Sequence, residues 1–210
     1  LAQSGNFDVR RQATWGMSAH LIISHAHKFC FVKTKKTAGT SIEVAMLPHL
    51  KEGDWRSPPR QSEPQLRSMR SMSKSFVALL RSKDTNIRAR SSHLSATVIE
   101  DYLKSETEGY TRFCVERNSW DKAISAFYFW ISRHGASKTQ TDEQNFSEFA
   151  EGPRMGWFSD FDLYTRAGIP IVDHIVSYEN LNAELAKVTT LIGLPDLNIG
   201  QIKVNSAQRP

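Results

Sequence analysis

Lys33-Thr34-Lys35-Lys36-Thr37-Ala38-Gly39-Thr40-Ser41 lies between the apolar run Phe29-Cys30-Phe31-Val32 and an amphipathic segment that begins at Ile42. A hydrophobic strand leads into a short basic turn, and the turn leads into a helix. In such a turn backbone N–H groups and the positive end of the helix converge on one spot. Thr40 is expected to cap the helix, with Glu43 three residues on completing a capping box. The lysines beside that spot make a phosphate or sulfate group its natural guest. The turn is not a Walker loop, because G-x-x-x-x-G-K-[ST] is absent and Gly39 is its one glycine. A plain strand-to-helix turn with solvent-facing lysines would read the same way.

The same pattern continues along the chain. The helix after the turn covers Ser41 to Leu47 and stops at Pro48. Thr97–Lys104 reads as a helix and Thr111–Val115 as a strand, ending at Glu116-Arg117-Asn118. A long helix follows, with Trp120, Ile124, Phe127 and Ile131 as its apolar stripe and Gly135 as its stop. Residues 136–168 are aromatic and irregular, with a short helix near Phe146–Ala150. Ile169–Ser177 reads as one strong strand, followed by a helix from Asn180 to Leu191 closed by Gly193 and Pro195. Within the basic stretch, Gln65–Leu80 has helix-forming composition and Ile87–Ser92 reads as a strand. Strands alternating with helices predict an α/β chain with a parallel sheet covered on both faces.

Length and charge narrow the classes. A chain of 210 residues suffices for one sizeable core, so a single domain over 1–210 is expected, with a loose lead-in at 1–27. No apolar run reaches the ~18 residues that a membrane-spanning helix needs. Leu1–Gly5 shows no basic region followed by an apolar core, the mark of a signal peptide. The net charge of +5 is uneven: residues 51–92 hold ten Lys/Arg against four Asp/Glu, and the rest of the chain is close to neutral. That stretch reads as a basic insertion, as a funnel for an acidic substrate, or as a nucleic-acid patch. No base-stacking platform accompanies it, so nucleic acid is not expected as a partner. Cys30 and Cys114 each sit in an apolar run, which predicts buried free thiols and a cytoplasmic, reducing setting. The sequon Asn145-Phe146-Ser147 keeps a Golgi-lumenal domain open as the alternative.

Arg117-Asn118-Ser119-Trp120-Asp121-Lys122-Ala123-Ile124-Ser125 is the second informative stretch. Arg117 stands where a strand ends, at the carboxyl edge where open α/β sheets bind ligands. Ser125 lies two turns into the next helix. An arginine fork and a hydroxyl suit a terminal phosphate. A structural Arg117–Asp121 pair would use the same residues.

Together the two stretches resemble the sulfotransferase family, whose members take a sulfuryl group from 3′-phosphoadenosine 5′-phosphosulfate (PAPS). Lys36-Thr37-Ala38-Gly39-Thr40-Ser41 is similar to the family's 5′-phosphosulfate loop, often Pro-Lys-Thr-Gly-Gly-Thr-Ser. Arg117 to Ser125 is similar to its 3′-phosphate motif, often Val-Arg-Asn-Pro-x-Asp-Arg-x-x-Ser. Ser92-His93-Leu94-Ser95-Ala96 and Tyr178-Glu179-Asn180-Leu181 also fit, and the likeness runs from Phe29 to Leu194, closest to the carbohydrate-type and bacterial members. Lys35 stands for the usual Pro, Ala38 for the first Gly, Ser119 for Pro and Lys122 for Arg.

The resemblance implies a three-layer α/β/α fold with a central, mainly parallel sheet of P-loop NTPase type. It implies that Lys35, Lys36, Thr37, Ala38, Gly39, Thr40 and Ser41 hold the 5′ phosphosulfate, and that Arg117 and Ser125 hold the 3′-phosphate. Lys36 would meet charge on the leaving oxygen, and His93 would take the acceptor proton. PAPS is the expected co-substrate, adenosine 3′,5′-bisphosphate (PAP) the product, and an acceptor hydroxyl, on a glycan or another anionic molecule, the partner. No metal cluster is expected, and His20, His25 and His27 read as surface residues. Trp157, Phe158, Phe161 and Tyr164 either line an acceptor pocket or pack the core. Two other readings stay open: an ATP-dependent kinase-like enzyme, and a non-enzymatic binder of acidic polymers through residues 51–92.

Overall fold

The computed structural model describes residues 21–56, 95–136, 139–152, 155–197 and 199–201. The expected strand over Ile87–Ser92, the helix over Gln65–Leu80, residues 57–92 of the basic stretch, His20 and His93 lie outside them.

Strand β1 covers Leu21–Ser24 and β2 covers Phe29–Val32; helix α1 runs over Gly39–Met46 and β3 over Trp55–Arg56. Helix α2 spans Ala96–Tyr102, β4 Thr111–Glu116 and α3 Ser119–His134. Helices α4, Asp142–Glu151, and α5, Phe161–Tyr164, precede a small hairpin of β5, Thr165–Arg166, and β6, Ile169–Pro170. Strand β7, His174–Ser177, and helix α6, Leu181–Leu191, close the series. Five strands form one sheet in the order β3-β1-β2-β4-β7. The β2–β4 and β4–β7 pairings are parallel, with Val32 beside Cys114 and Glu116 beside Ser177. Strand β1 pairs antiparallel with both β2 and β3.

Alternation along the strands feeds two cores, one on each face. Leu21, Ile23, Cys30, Val32 and Cys114 face Ala96, Ile99, Leu103 and Tyr164, the layer of α2 and α5. Ile22, Phe29, Phe31, Phe113, Val115 and Val176 face Ile42 and Met46 of α1 and Leu185 and Val188 of α6. The Phe31 and Phe113 rings stack at 5.0 Å between centroids. Each such ring contributes about 1.5–3 kcal/mol on burial, so the centre of the sheet is where stability concentrates. A third cluster joins Ala126 and Phe127 of α3 to Phe149 of α4.

Five expectations change. The lead-in is not loose at its end, since all four residues of β1 are buried in the sheet. The basic stretch begins inside the sheet, as Trp55–Arg56 pairs with Ile22 and Ile23. Antiparallel β1 and β3 make the sheet mixed rather than mainly parallel. Ile169–Ser177 is two strands in two sheets, broken at 171–173. The stripe of α3 is rotated: Trp120 is 79 % exposed and Ile124 is exposed, whereas Lys122, Ala123, Ala126 and Phe127 are buried. The cap sets that phase. Asn118 accepts from the Trp120 and Asp121 amides, so Trp120 falls on the solvent side.

Residues 136–168 are also more regular than their composition suggests. Thr141 and Gln144 form a full capping box on α4. Phe158 packs on Phe149, and Tyr164 is buried, so these two aromatics serve packing.

Candidate functional site

Strands β2, β4 and β7 run parallel, so their carboxyl ends, Val32, Glu116 and Ser177, open on one edge of the sheet. Three turns leave that edge: 33–38, 117–118 and 178–180. The two quoted stretches and Tyr178-Glu179-Asn180-Leu181 are therefore brought together. Arg117 Nη1 donates to the Lys36 carbonyl at 3.0 Å, and its guanidinium carbon stands 4.0 Å from the Tyr178 ring centroid. Glu179 ties the second turn to the third, accepting from the Asn118 amide at 2.7 Å and the Ser177 hydroxyl at 2.8 Å. Those hydrogen bonds, the Asn118 amide foremost, hold the Glu179 carboxyl below its ordinary pKa.

The first turn is held from beneath. Thr34 donates its hydroxyl to the Val115 carbonyl, and the Thr37 hydroxyl lies 2.8 Å from that of Thr34. Thr37 is thus buried, and its side chain faces inward. Lys36 and Ala38 take positive φ, 59° and 58°. Left-handed residues one apart make the kind of backbone nest that turns successive N–H groups to one side. Such conformations cost an L-residue about 1–2 kcal/mol each, and they concentrate where backbone shape serves a ligand.

The helix cap differs from expectation. Ala38 is the N-cap and makes no side-chain cap bond, while Thr40 lies within α1. Lys33 Nζ instead donates to Thr40 Oγ1 at 2.8 Å and to the buried Glu43 at 2.7 Å. The stem of Lys33 crosses Gly39, where an added Cβ would sit 2.4 Å from Lys33 Cγ. Gly39 is required by that lysine.

The three lysines of the turn therefore differ in role. Lys33 is paired with Glu43. Lys35 reaches Asp160, with its amide 2.6 Å from Oδ2 and its ammonium 3.5 Å from Oδ1. Lys36 rests its ammonium 4.3 Å from the Phe129 ring centroid on α3. Ser125 lies one helical turn before Phe129 on the same face, half-buried. Ser41 is 9 % exposed at the first turn of α1.

Under the turn lies a charged network that the sequence does not advertise. Asp160, fully buried at the head of α5, accepts from Lys122 Nζ at 2.8 Å. Lys122 also reaches Glu116 at 2.7 Å, and Tyr164 donates to the other oxygen of Glu116 at 3.1 Å. Glu116 thus turns to the face opposite the Arg117–Tyr178 contact. Burial raises the Asp160 pKa, opposed by Lys122 and Lys35, and pushes the Tyr164 hydroxyl up as well. Lys122 stands out only as a replaced position in the second motif. Asp160 has no local signal, since its partner Lys35 is 125 residues away.

Arg117 itself is committed. Besides the Lys36 carbonyl it holds Asp121 through Nε at 2.5 Å, and it is 7 % exposed. The structural pairing is therefore present, and it fixes the first turn against the second.

The remaining residues divide as follows. Both cysteines are buried free thiols, with burial pushing Cys30 up to about 12 and raising Cys114 as well. His25 is not a plain surface residue: its Nδ1 lies 2.8 Å from the Tyr110 hydroxyl, and its ring meets Trp55 edge-on at 4.3 Å. Asn145 is buried and donates its amide to the Thr141 carbonyl at 2.9 Å, so the sequon is folded into a helix rather than displayed. Among the described residues no group of three His, Cys, Asp or Glu could hold a metal ion. Among them no helix is long and apolar enough to cross a membrane.

No family model and no solved structure matches the chain. An uncharacterized protein of Archaeoglobus fulgidus is 36% identical over an alignment of 96 residues, with 42% of this chain and 72% of that protein covered. At that likeness and coverage, this chain belongs to the same family as the archaeal protein.

Proposed function

We propose that this chain is a sulfotransferase that moves a sulfuryl group from PAPS to an acceptor hydroxyl. The supporting observation is the meeting of the two resembling motifs: Arg117 of the second is bonded to the Lys36 carbonyl of the first. Chain segments far apart in sequence thus build one edge, as a ligand with a 5′ and a 3′ anionic group requires. The turn suits an anion through its left-handed Lys36 and Ala38 and through the helix that starts at Gly39. With β2, that turn and α1 beside parallel β4 and β7, we read the fold as P-loop NTPase-like.

Each residue then has a task. Lys36 supplies an ammonium to the charge that develops as the sulfur–oxygen bond to the nucleotide breaks. The backbone from Thr37 to Ser41 orients the phosphosulfate end. Ser125, on the face that carries Phe129, addresses the 3′ end, and Arg117 joins it by exchanging its Asp121 contact for the phosphate. The acceptor oxygen bonds to sulfur as its proton leaves, and His93 is the proposed base for that proton. In-line placement, rather than covalent chemistry by the protein, would supply most of the acceleration. The buried thiols favour a reducing, cytoplasmic setting.

Calorimetric titration with PAP, ADP and ATP–Mg²⁺ tests the reading. The expected result is binding of PAP at least tenfold tighter than of ADP, with no need for Mg²⁺. Equal affinity for PAP and ADP, or binding of ATP only with Mg²⁺, would overturn it.

A further inference from the structure

Three consecutive residues of the first turn are each gripped by a distant part of the chain. The Thr34 hydroxyl donates to the Val115 carbonyl, and the Lys36 carbonyl accepts from Arg117 at 3.0 Å. Both of those partners belong to β4 or to the turn that leaves it. The Lys35 amide between them donates to Asp160 at 2.6 Å, and that carboxylate lies 125 residues away in sequence.

Asp160 is fixed independently of the turn. It is the N-cap residue of α5 and is buried. Phe158, two residues earlier, packs on Phe149 of α4. Lys122, in the second of the two stretches, meets Asp160 at 2.8 Å and Glu116 at 2.7 Å. The second stretch therefore reaches the first twice, through Arg117 at Lys36 and through Lys122 and Asp160 at Lys35. A charged acceptor makes a strong, short bond to a backbone amide, and this one sits where water does not compete. The left-handed backbone at Lys36 begins at the very next residue. Such conformations persist where the surroundings over-determine them.

We propose that Asp160 is the positioning residue of the anion turn. By taking the Lys35 amide it sets where the left-handed stretch begins, and so where the amides of Thr37 to Ser41 meet the ligand. Lys35 then holds the turn from beneath, and Lys122 acts through Asp160 rather than on the nucleotide. The proposal rests on the reading above only in taking the ligand of the turn to be an anion.

The probes are inorganic sulfate, PAP and ADP, each followed through backbone amide NMR shifts on the full chain. In the wild type the amides of Thr37 to Ser41 should shift on binding while that of Lys35 stays in place. Asp160→Ala should weaken sulfate and PAP at least tenfold. Asp160→Asn keeps an oxygen for the Lys35 amide and should weaken them less than threefold. Asp54 supplies the control for a merely structural role. It is buried too, and it accepts from the His25 and Ala26 amides at 2.7 and 3.1 Å, in the turn that precedes β2. Asp54→Ala should lower Tm and leave both affinities within twofold. Should Asp160→Ala not fold, the wild-type shifts and Asp160→Asn decide. A Lys35 amide that shifts as far as its neighbours overturns the proposal, as does wild-type affinity in Asp160→Ala or a tenfold loss in Asp160→Asn. Absence of shifts with both sulfate and PAP overturns it together with the sulfotransferase reading. Binding that depends on Asp160 but does not distinguish PAP from ADP keeps the positioning role and removes the sulfotransferase reading alone.

Discussion

Arg117 and Lys36 are 81 residues apart in sequence, yet the Arg117 guanidinium donates to the Lys36 carbonyl at 3.0 Å. That carbonyl belongs to a residue with φ of 59°, a backbone conformation that side-chain sterics oppose. The hydrogen bond is therefore one reason the turn keeps its shape. The same guanidinium holds Asp121 in the first turn of α3 and lies against the Tyr178 ring. One side chain thus ties together the ends of β2, β4 and β7.

Replacing Arg117 with Ala removes a charged donor from a carbonyl, a contact worth about 1.5–3 kcal/mol. The Asp121 pair adds less, because the Asp121 side chain is 39% exposed and water screens it. The expected loss is about 3 kcal/mol in urea unfolding. Arg117→Lys should recover little of it, since one ammonium cannot reach the carbonyl, the carboxylate and the ring face together. Full recovery with Lys would mean that charge alone matters at this position.

Ala38 carries a Cβ at φ of 58°, where glycine has no steric cost. The resembling motif has Gly there. Ala38→Gly should raise stability by roughly 1 kcal/mol, a shift of about 2–4 °C in Tm for a chain of this size. The gain is offset in part by the greater freedom of glycine in the unfolded chain. A fall in Tm would show that the methyl group makes packing contacts worth more than the strain.

What the sequence disclosed and what it hid follow one rule. Phe29–Val32 and Thr111–Glu116 are legible because buried parallel strands need unbroken apolar runs, and α6 is legible through its helical spacing and the turn at Gly193. Strand β1 is four residues long and followed by His25 and His27, so its burial comes from pairing with β2 and β3. The phase of α3 is misread because Lys122 counts as polar, although Glu116 and Asp160 neutralise it in the interior. The turn at 33–41 is legible as a basic strand-to-helix turn, but the sharing of its lysines with Glu43 and Asp160 is not. Pairings across 125 residues leave no trace in local spacing.

Lys33 and Lys35 reach Glu43 and Asp160, and Lys36 rests its ammonium 4.3 Å from the Phe129 ring centroid. Losing that contact costs about 0.5–1 kcal/mol, so Lys36→Ala should fold. On the sulfotransferase reading, turnover should fall by about 10²–10³ or more, the usual effect of deleting a group that meets transition-state charge. PAP affinity should fall far less than turnover. Equal losses in kcat and in PAP affinity would make Lys36 a binding residue only.

Asp160 gives the pH dependence its sign. One carboxylate oxygen holds the Lys35 amide and Lys122, while among the described residues Oδ1 has no hydrogen-bond partner and faces the Lys35 ammonium at 3.5 Å. Burial outweighs the lysines and raises its pKa above the unfolded value of about 3.9. The folded chain therefore binds this proton more tightly than the unfolded chain. Its contribution to stability is fully present below pH ~4 and is lost as pH rises through the folded-state pKa. Asp160→Asn cannot ionise and lacks this dependence. Wild-type stability minus that of Asp160→Asn, measured by urea unfolding between pH 4 and pH 8, should decline as pH rises and then level off. A difference that grows with pH would mean that Lys122 and Lys35 overcome the burial, placing the folded pKa below the unfolded one.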